Sequence, residues 1–88
     1  MPAYRVEVLR GAQQDLLRLG PTLHDRAIKV LSSLAEEPRP GGSQKLSGLD
    51  AHRIRVADYR IVYRVIDADR LVLVLRIGHR RDVYRRLR

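Results

Sequence analysis

Between His52 and Arg64 the chain alternates cation with apolar residue, and this restricts its fold more than any other stretch. A β-strand sends successive side chains to opposite faces. Arg53 and Arg55 therefore share one face while Ile54 and Val56 take the other. After a short turn at Ala57-Asp58-Tyr59, Arg60, Val62 and Arg64 alternate with Ile61, Tyr63 and Val65. The pattern predicts a sheet with one apolar face and one face dense in guanidinium, a surface suited to polyanions such as phosphate chains. A slip of one residue would invert every side chain, so the expectation is sharp. Ile54, Val56, Ile61, Tyr63, Leu73 and Leu75 should lie inside, with Arg53, Arg55 and Arg60 together on the opposite face.

The flanking sequence supplies what the apolar face needs. Tyr4 to Leu9 alternates as a short opening strand. From Gly11 the period becomes helical: Ala12, Leu16 and Leu19 form a stripe widened by Leu17. Gly20-Pro21 ends that helix, and Pro21 or Thr22 opens a second with Leu23, Ala27, Leu31 and Leu34 on its apolar side. Glu36 to Ser43, with two prolines and two glycines, reads as a linker. A meander follows over His52–Val56, Arg60–Ile66 and Leu71–Ile77. The run Leu71 to Leu75 is apolar on both parities, as an interior strand requires. Asp82 to Leu87 reads as a short final helix. The expected fold is a two-layer α+β single domain over residues 1–88. A helical hairpin packs on a four-stranded, mainly antiparallel sheet, in the order β-α-α-β-β-β with a short C-terminal helix.

Charge narrows the partner. The 88 residues carry eighteen Lys and Arg against ten Asp and Glu, a formal charge of +8, and only Lys29 and Lys45 are lysine. GC-rich coding explains arginine in place of lysine, but not the excess of cations over carboxylates. The excess points to nucleic acid or an acidic protein. With no cysteine, disulfides and thiolate metal sites are excluded. The other ligating residues are not at metal-binding spacing, so no metal and no cofactor is expected. No apolar leader or membrane-length stretch appears, and a cytoplasmic protein without a membrane partner is expected.

The ordered set Glu36-Glu37-Pro38-Arg39, Lys45-Leu46-Ser47-Gly48-Leu49, Arg53-Ile54-Arg55-Val56, Asp58-Tyr59-Arg60-Ile61-Val62-Tyr63 and Gly78-His79-Arg80-Arg81-Asp82-Val83-Tyr84 resembles the RelE/ParE superfamily of bacterial toxin–antitoxin systems, over essentially the whole chain. The resemblance to the RelE branch implies a type II toxin that cleaves mRNA in the ribosomal A site and arrests translation. A RelB-like antitoxin, acidic and folding as it binds, would hold it inactive, and the toxin alone would be monomeric. The ParE branch implies the alternative, a DNA gyrase inhibitor with no catalytic residues.

The resemblance assigns Arg60 and Arg80 to clamping the phosphate and Tyr84 to proton transfer or base stacking at the scissile nucleotide. Guanidinium suits the first task because it binds oxyanions bidentately and stays protonated. Where RelE toxins carry lysines on the strand after the Lys-Leu turn, this chain has Arg53 and Arg55. Arginine cannot surrender a proton as lysine can, so His79, and after it His52, become the titrating candidates. Lys45, Arg53, Arg55, Arg64 and Arg81 complete the expected RNA-binding set. For each there is a plainer reading. The arginines also suit a solvated sheet face, Lys45 a turn-flanking cation, and Tyr84 a residue docking the tail on the sheet.

Overall fold

The computed structural model describes residues 3–85. Its elements are β1 (Arg5–Val8), α1 (Arg10–Leu17), α2 (Pro21–Glu36), β2 (Ser43–Lys45), β3 (His52–Val56), β4 (Tyr59–Ile66), a 3-10 turn at Asp67–Asp69, and β5 (Leu71–His79). The strands form one sheet in the order β1-β5-β4-β3-β2. β1 runs parallel to β5, and every other neighbouring pair is antiparallel. Both helices pack on one face, which confirms the two-layer α+β class.

The sheet has five strands, not four. Ser43 to Lys45 pair with Ile54, Arg53 and His52 respectively. This strand is three polar residues long, so no hydrophobic alternation announced it. The free edge of β3 recruits it, and the turn before it is tied by the Ser43 amide and hydroxyl, which donate to the Pro40 carbonyl at 2.9 and 2.8 Å. Nor, among the described residues, does the expected C-terminal helix form. Arg80 to Arg85 follow a series of turns, with the Asp82 and Val83 amides both donating to the His79 carbonyl at 2.9 and 3.0 Å. The end of that expected helix lies outside the described residues. Burial explains the turns: Val83 is drawn completely out of water against the sheet. A Cβ on Gly78 would meet Val83 at 3.4 Å, so glycine lets the segment lie close.

The main core joins Ala12 and Leu16 of α1 and Ala27, Leu31 and Leu34 of α2 to Val56, Ile61, Tyr63, Val72, Val74 and Ile77. Burying each large side chain contributes about 1.5–3 kcal/mol, so this face holds most of the stability. Tyr63, fully buried, satisfies its hydroxyl by donating to the Pro38 carbonyl at 2.8 Å.

One expectation about the core is overturned. Val72 and Val74 face the helices, while Leu73 sits half-buried opposite Arg64 and Leu75 packs on the other face with Val62 and Val83. The register jumps here: Val62 pairs with Arg76 but Tyr63 with Val74, leaving Leu75 as the extra residue of a bulge. A strand apolar on both parities carries no signal for which parity faces in. Past the bulge, Ile77 returns to the helix side.

β5 also outruns its neighbour. β1 ends opposite Val74, so among the described residues no strand lies beside the outer edge of β5 beyond that point. α1 covers the gap. Asp15, 2% exposed, accepts from the Ile77 amide at 2.9 Å and from the Arg76 guanidinium at 3.0 and 3.1 Å. A buried carboxylate thus takes the place of a strand at the point where the segment carrying Arg80 begins.

Candidate nucleic-acid site

The arginine face is assembled by the β3–β4 hairpin. Val56 pairs with Tyr59, so Ala57 and Asp58 alone make the turn, and Ala57 takes a positive φ of 54°. Two-residue hairpins commonly demand that conformation. The resulting register sets Arg55 directly across from Arg60 and Arg53 across from Val62. Arg53, Arg55 and Arg60 therefore share a face, as the alternation predicted. The Arg80 amide donates to the Asp58 carbonyl at 3.0 Å, tying the end of β5 to the hairpin turn. Arg55, Ala57, Asp58, Arg60 and Arg80 enclose a cleft of about 140 Å³.

Tyr84 reaches Arg60, one wall of this cleft, from the C-terminal segment. Its phenol oxygen accepts from Arg60 Nη1 at 3.1 Å, and the Arg60 Cζ lies 5.8 Å from the ring centroid. The ring is held there by a small apolar cluster of Ala51, Val62 and Val83, with Leu46 and Leu75 beside it. Val62 is fully buried although its parity is that of the arginines. The face is thus an apolar anchor with guanidinium around it, not a continuous sheet of charge.

The other expected site residues are dispersed. His79 pairs with Tyr59, which precedes Arg60 in β4, so it emerges on the helix side of the sheet. It meets the Tyr59 ring edge-on at 5.9 Å and lines a separate cleft of about 220 Å³ that includes Asp15, Arg18 and Asp82. The structure does not bring His79 to Arg60 and Tyr84. His52 likewise lies on the helix side, stacked on Tyr63 at 5.8 Å; burial holds its imidazole below the usual histidine pKa. Lys45 is exposed and pairs with His52, away from Arg53. Arg64 shares the arginine face but is engaged by Asp50 at 2.9 Å, and its Nε is buried without a hydrogen-bond partner. Arg81 is exposed in the turn after β5, its amide 3.5 Å from His79 Nδ1. Arg53 donates to the Gln44 side chain across the β2–β3 pair.

Sequence reasoning passed over Gln44, Val83 and Asp15. Asp15 had a signal: it is an acid one residue before Leu16 in the apolar stripe of α1. Val83 had one too, as the lone apolar residue in Arg80 to Tyr84.

A family model described as the ParE toxin of the type II toxin–antitoxin system parDE matches residues 6–84. Toxin RelG of Mycobacterium tuberculosis is 32% identical over 85 residues, spanning 94% of this chain and 98% of that protein. The mRNA interferase toxin RelE of Escherichia coli is 33% identical over 81 residues, 89% of this chain and 84% of its own length. The chain belongs to the RelE/ParE family of type II toxins, in its RelE-like branch. Solved structures agree. The toxin in the intact E. coli RelBE toxin–antitoxin complex superposes with a TM-score of 0.77 at 32% identity, covering 88% of this chain and 96% of that one. The archaeal RelE–RelB complex of Pyrococcus horikoshii gives 0.81 at 28%, covering 89% and 96%. The arginine face and Tyr84 are thus carried on a RelE-like toxin fold.

Proposed function

We propose that this RelE-like toxin cleaves mRNA held in the ribosomal A site, without a metal ion, and that a RelB-like antitoxin restrains it. The E. coli relative carries the name mRNA interferase, and the superposed structures are toxin–antitoxin complexes. The observation that carries the reading within this chain is the Arg60–Tyr84 contact beside Arg55 and Arg80.

Cleavage by the neighbouring 2′-hydroxyl needs that proton removed, charge stabilised at phosphorus and a proton delivered to the departing 5′-oxygen. Arg60 and Arg80 supply charge to the phosphate oxygens, and Arg55 adds a third guanidinium at the same cleft. Donation from Arg60 occupies a lone pair of the Tyr84 oxygen and leaves the phenolic proton free for another acceptor. Tyr84 is therefore the proton-transfer group of choice at this cleft, and His79, across the sheet, is not. The acidic antitoxin segment would cover the arginine face. With Val83 buried beneath Tyr84, covering the segment in place costs less than pulling it away.

Cleavage mapped on translating ribosomes tests the assignment. Arg60→Ala and Arg80→Ala should each cut the rate roughly a hundredfold, the usual loss for one transition-state donor. Tyr84→Phe should slow it as well, and His79→Ala should leave it near the parent rate. Full activity in both arginine variants sinks the site. Lost DNA supercoiling with intact mRNA after induction would replace cleavage with gyrase inhibition.

A further inference from the structure

The arginine cleft does not end at Arg55. That residue also lines a second, larger groove of about 560 Å³ with Gly41, Gly42, Ser43, Gln44, Arg53 and Ile54. The register explains why the groove exists. Gln44 pairs with Arg53, so their side chains share the arginine face. Extending that pairing by two residues sets Gly42 across from Arg55, where no side chain exists to cover the guanidinium. A Cβ at Gly41 or Gly42 would meet nothing within 4 Å. The groove is therefore open at the point where it joins the proposed phosphate cleft, and among the described residues its lining contains no carboxylate.

We infer that this groove is a nucleotide subsite of the RNA strand next to the scissile phosphate, with Gln44 as its base-reading residue. The inference rests on the mRNA-cleavage reading and extends it to a residue with no catalytic role there. Charge decides the class of ligand, because Arg53 and Arg55 flank the groove and a phosphate chain neutralises both. Position decides its direction. Arg53 and Arg55 are two residues apart on one strand, about 7 Å, so a backbone leaving Arg60 and Arg55 meets Arg53 next. Gln44 offers a carbonyl and an amide on one planar group, the pairing chemistry that distinguishes base edges. In the free protein its carbonyl is occupied by the Arg53 guanidinium. A bound nucleotide phosphate would draw Arg53 away and release that carbonyl toward a base.

The subsite is tested with short single-stranded RNAs and with cleavage profiles on translated mRNA, using Gln44→Ala and Gly42→Leu. Gly42→Leu fills the groove and should weaken a pentanucleotide roughly tenfold, the value of a single nucleotide held by its base and phosphate. A dinucleotide, which the cleft alone holds, should bind as before. Gln44→Ala should flatten the nucleotide preference at one position beside the cut. Parent-like pentanucleotide affinity in Gly42→Leu together with an unchanged preference in Gln44→Ala overturns the subsite. Those results with normal cleavage leave the nuclease reading intact. Weakened RNA binding in Gly42→Leu by a parent protein that cuts no mRNA keeps the groove and discards the nuclease.

Discussion

The two faces of the sheet come from the same strands and obey opposite rules. On the helix side, Ile61, Tyr63, Val72, Val74 and Ile77 are buried against α1 and α2, and the Tyr63 hydroxyl among them finds a protein partner. On the other side Arg55 and Arg60 sit across from one another, with Arg80 lining the same cleft. Like charges so placed work against the folded state. The helix face stabilises the molecule; the arginine face withdraws some of that stability, a cost that the proposed RNA ligand would offset. The small cluster under Val83 and Tyr84 is the exception that lets the second face hold a shaped site. The two faces should therefore respond oppositely to mutation.

The largest effect is expected in the helix-side core. Tyr63→Ala removes a fully buried ring and its hydrogen bond to Pro38, a loss of about 3–5 kcal/mol. Against the total of about 5–15 kcal/mol usual for domains, that leaves little folded protein near the low end. Denaturant unfolding measures it. A loss below about 1 kcal/mol would mean that the helix face is not the source of stability.

Asp15 comes next. Its carboxylate is buried between α1 and β5, and Asp15→Ala strands both the Arg76 guanidinium and the Ile77 amide. Breaking such a pair from one side costs about 3–5 kcal/mol; Arg76 retains some access to water, which favours the lower end. Arg76→Leu in the same background should recover part of the loss, since an apolar partner removes the uncompensated charge. No recovery in the double variant would place the cost outside the Arg76 pair, with the Ile77 contact among its sources.

The opposite response is expected from the arginine face. Arg53→Ala with Arg55→Ala removes two cations and few packed atoms, so stability should stay within about 0.5 kcal/mol of the parent. Any change should favour the variant, through relief of repulsion, and should shrink as salt rises. RNA affinity should fall at the same time, and its salt dependence should flatten in proportion to the phosphates that the variant no longer neutralises. A double variant that unfolds easily would show these arginines to be structural.

The same contrast explains what could be read from the sequence. Where the two faces differ in chemistry, as in Arg53 to Val56 and Arg60 to Val65, alternation fixed both strand and side. Where both parities are apolar, as in Leu71 to Leu75, the strand was legible and its facing was not. The bulge at Leu75 depends on how β5 pairs with Val62 and Tyr63 of β4, which is not local. Ser43 to Lys45 forms a strand because β3 offers an edge, not because its residues favour one. At the proposed site, the resemblance named Arg60, Arg80 and Tyr84, and the structure sets Arg60 beside both of the others. His79 leaves the sheet by the other face, because adjacency to Arg80 in sequence says nothing about which face a strand residue leaves by.

The smallest effects are in acid, where the two titrating groups with the clearest roles act in separate windows. Burial lowers the pKa of His52 below the ordinary 6.5, so the unfolded chain takes up that proton first. Its contribution therefore begins to fall as pH drops through 6.5 and is spent once pH passes below the depressed folded value. Asp67 acts lower. The Arg39 guanidinium at 2.7 Å and the Tyr4 hydroxyl at 2.6 Å hold its carboxyl at about 2, against an ordinary 3.8. That stability is present above pH 3.8 and is lost as pH falls toward 2. Asp67 is more than half exposed, so salt should weaken its share strongly. Midpoints of urea unfolding across this range should thus fall in two steps. His52→Phe, which keeps the stacking on Tyr63, should erase the upper step, and Asp67→Asn the lower. A single step surviving both substitutions would assign the acid response to other groups.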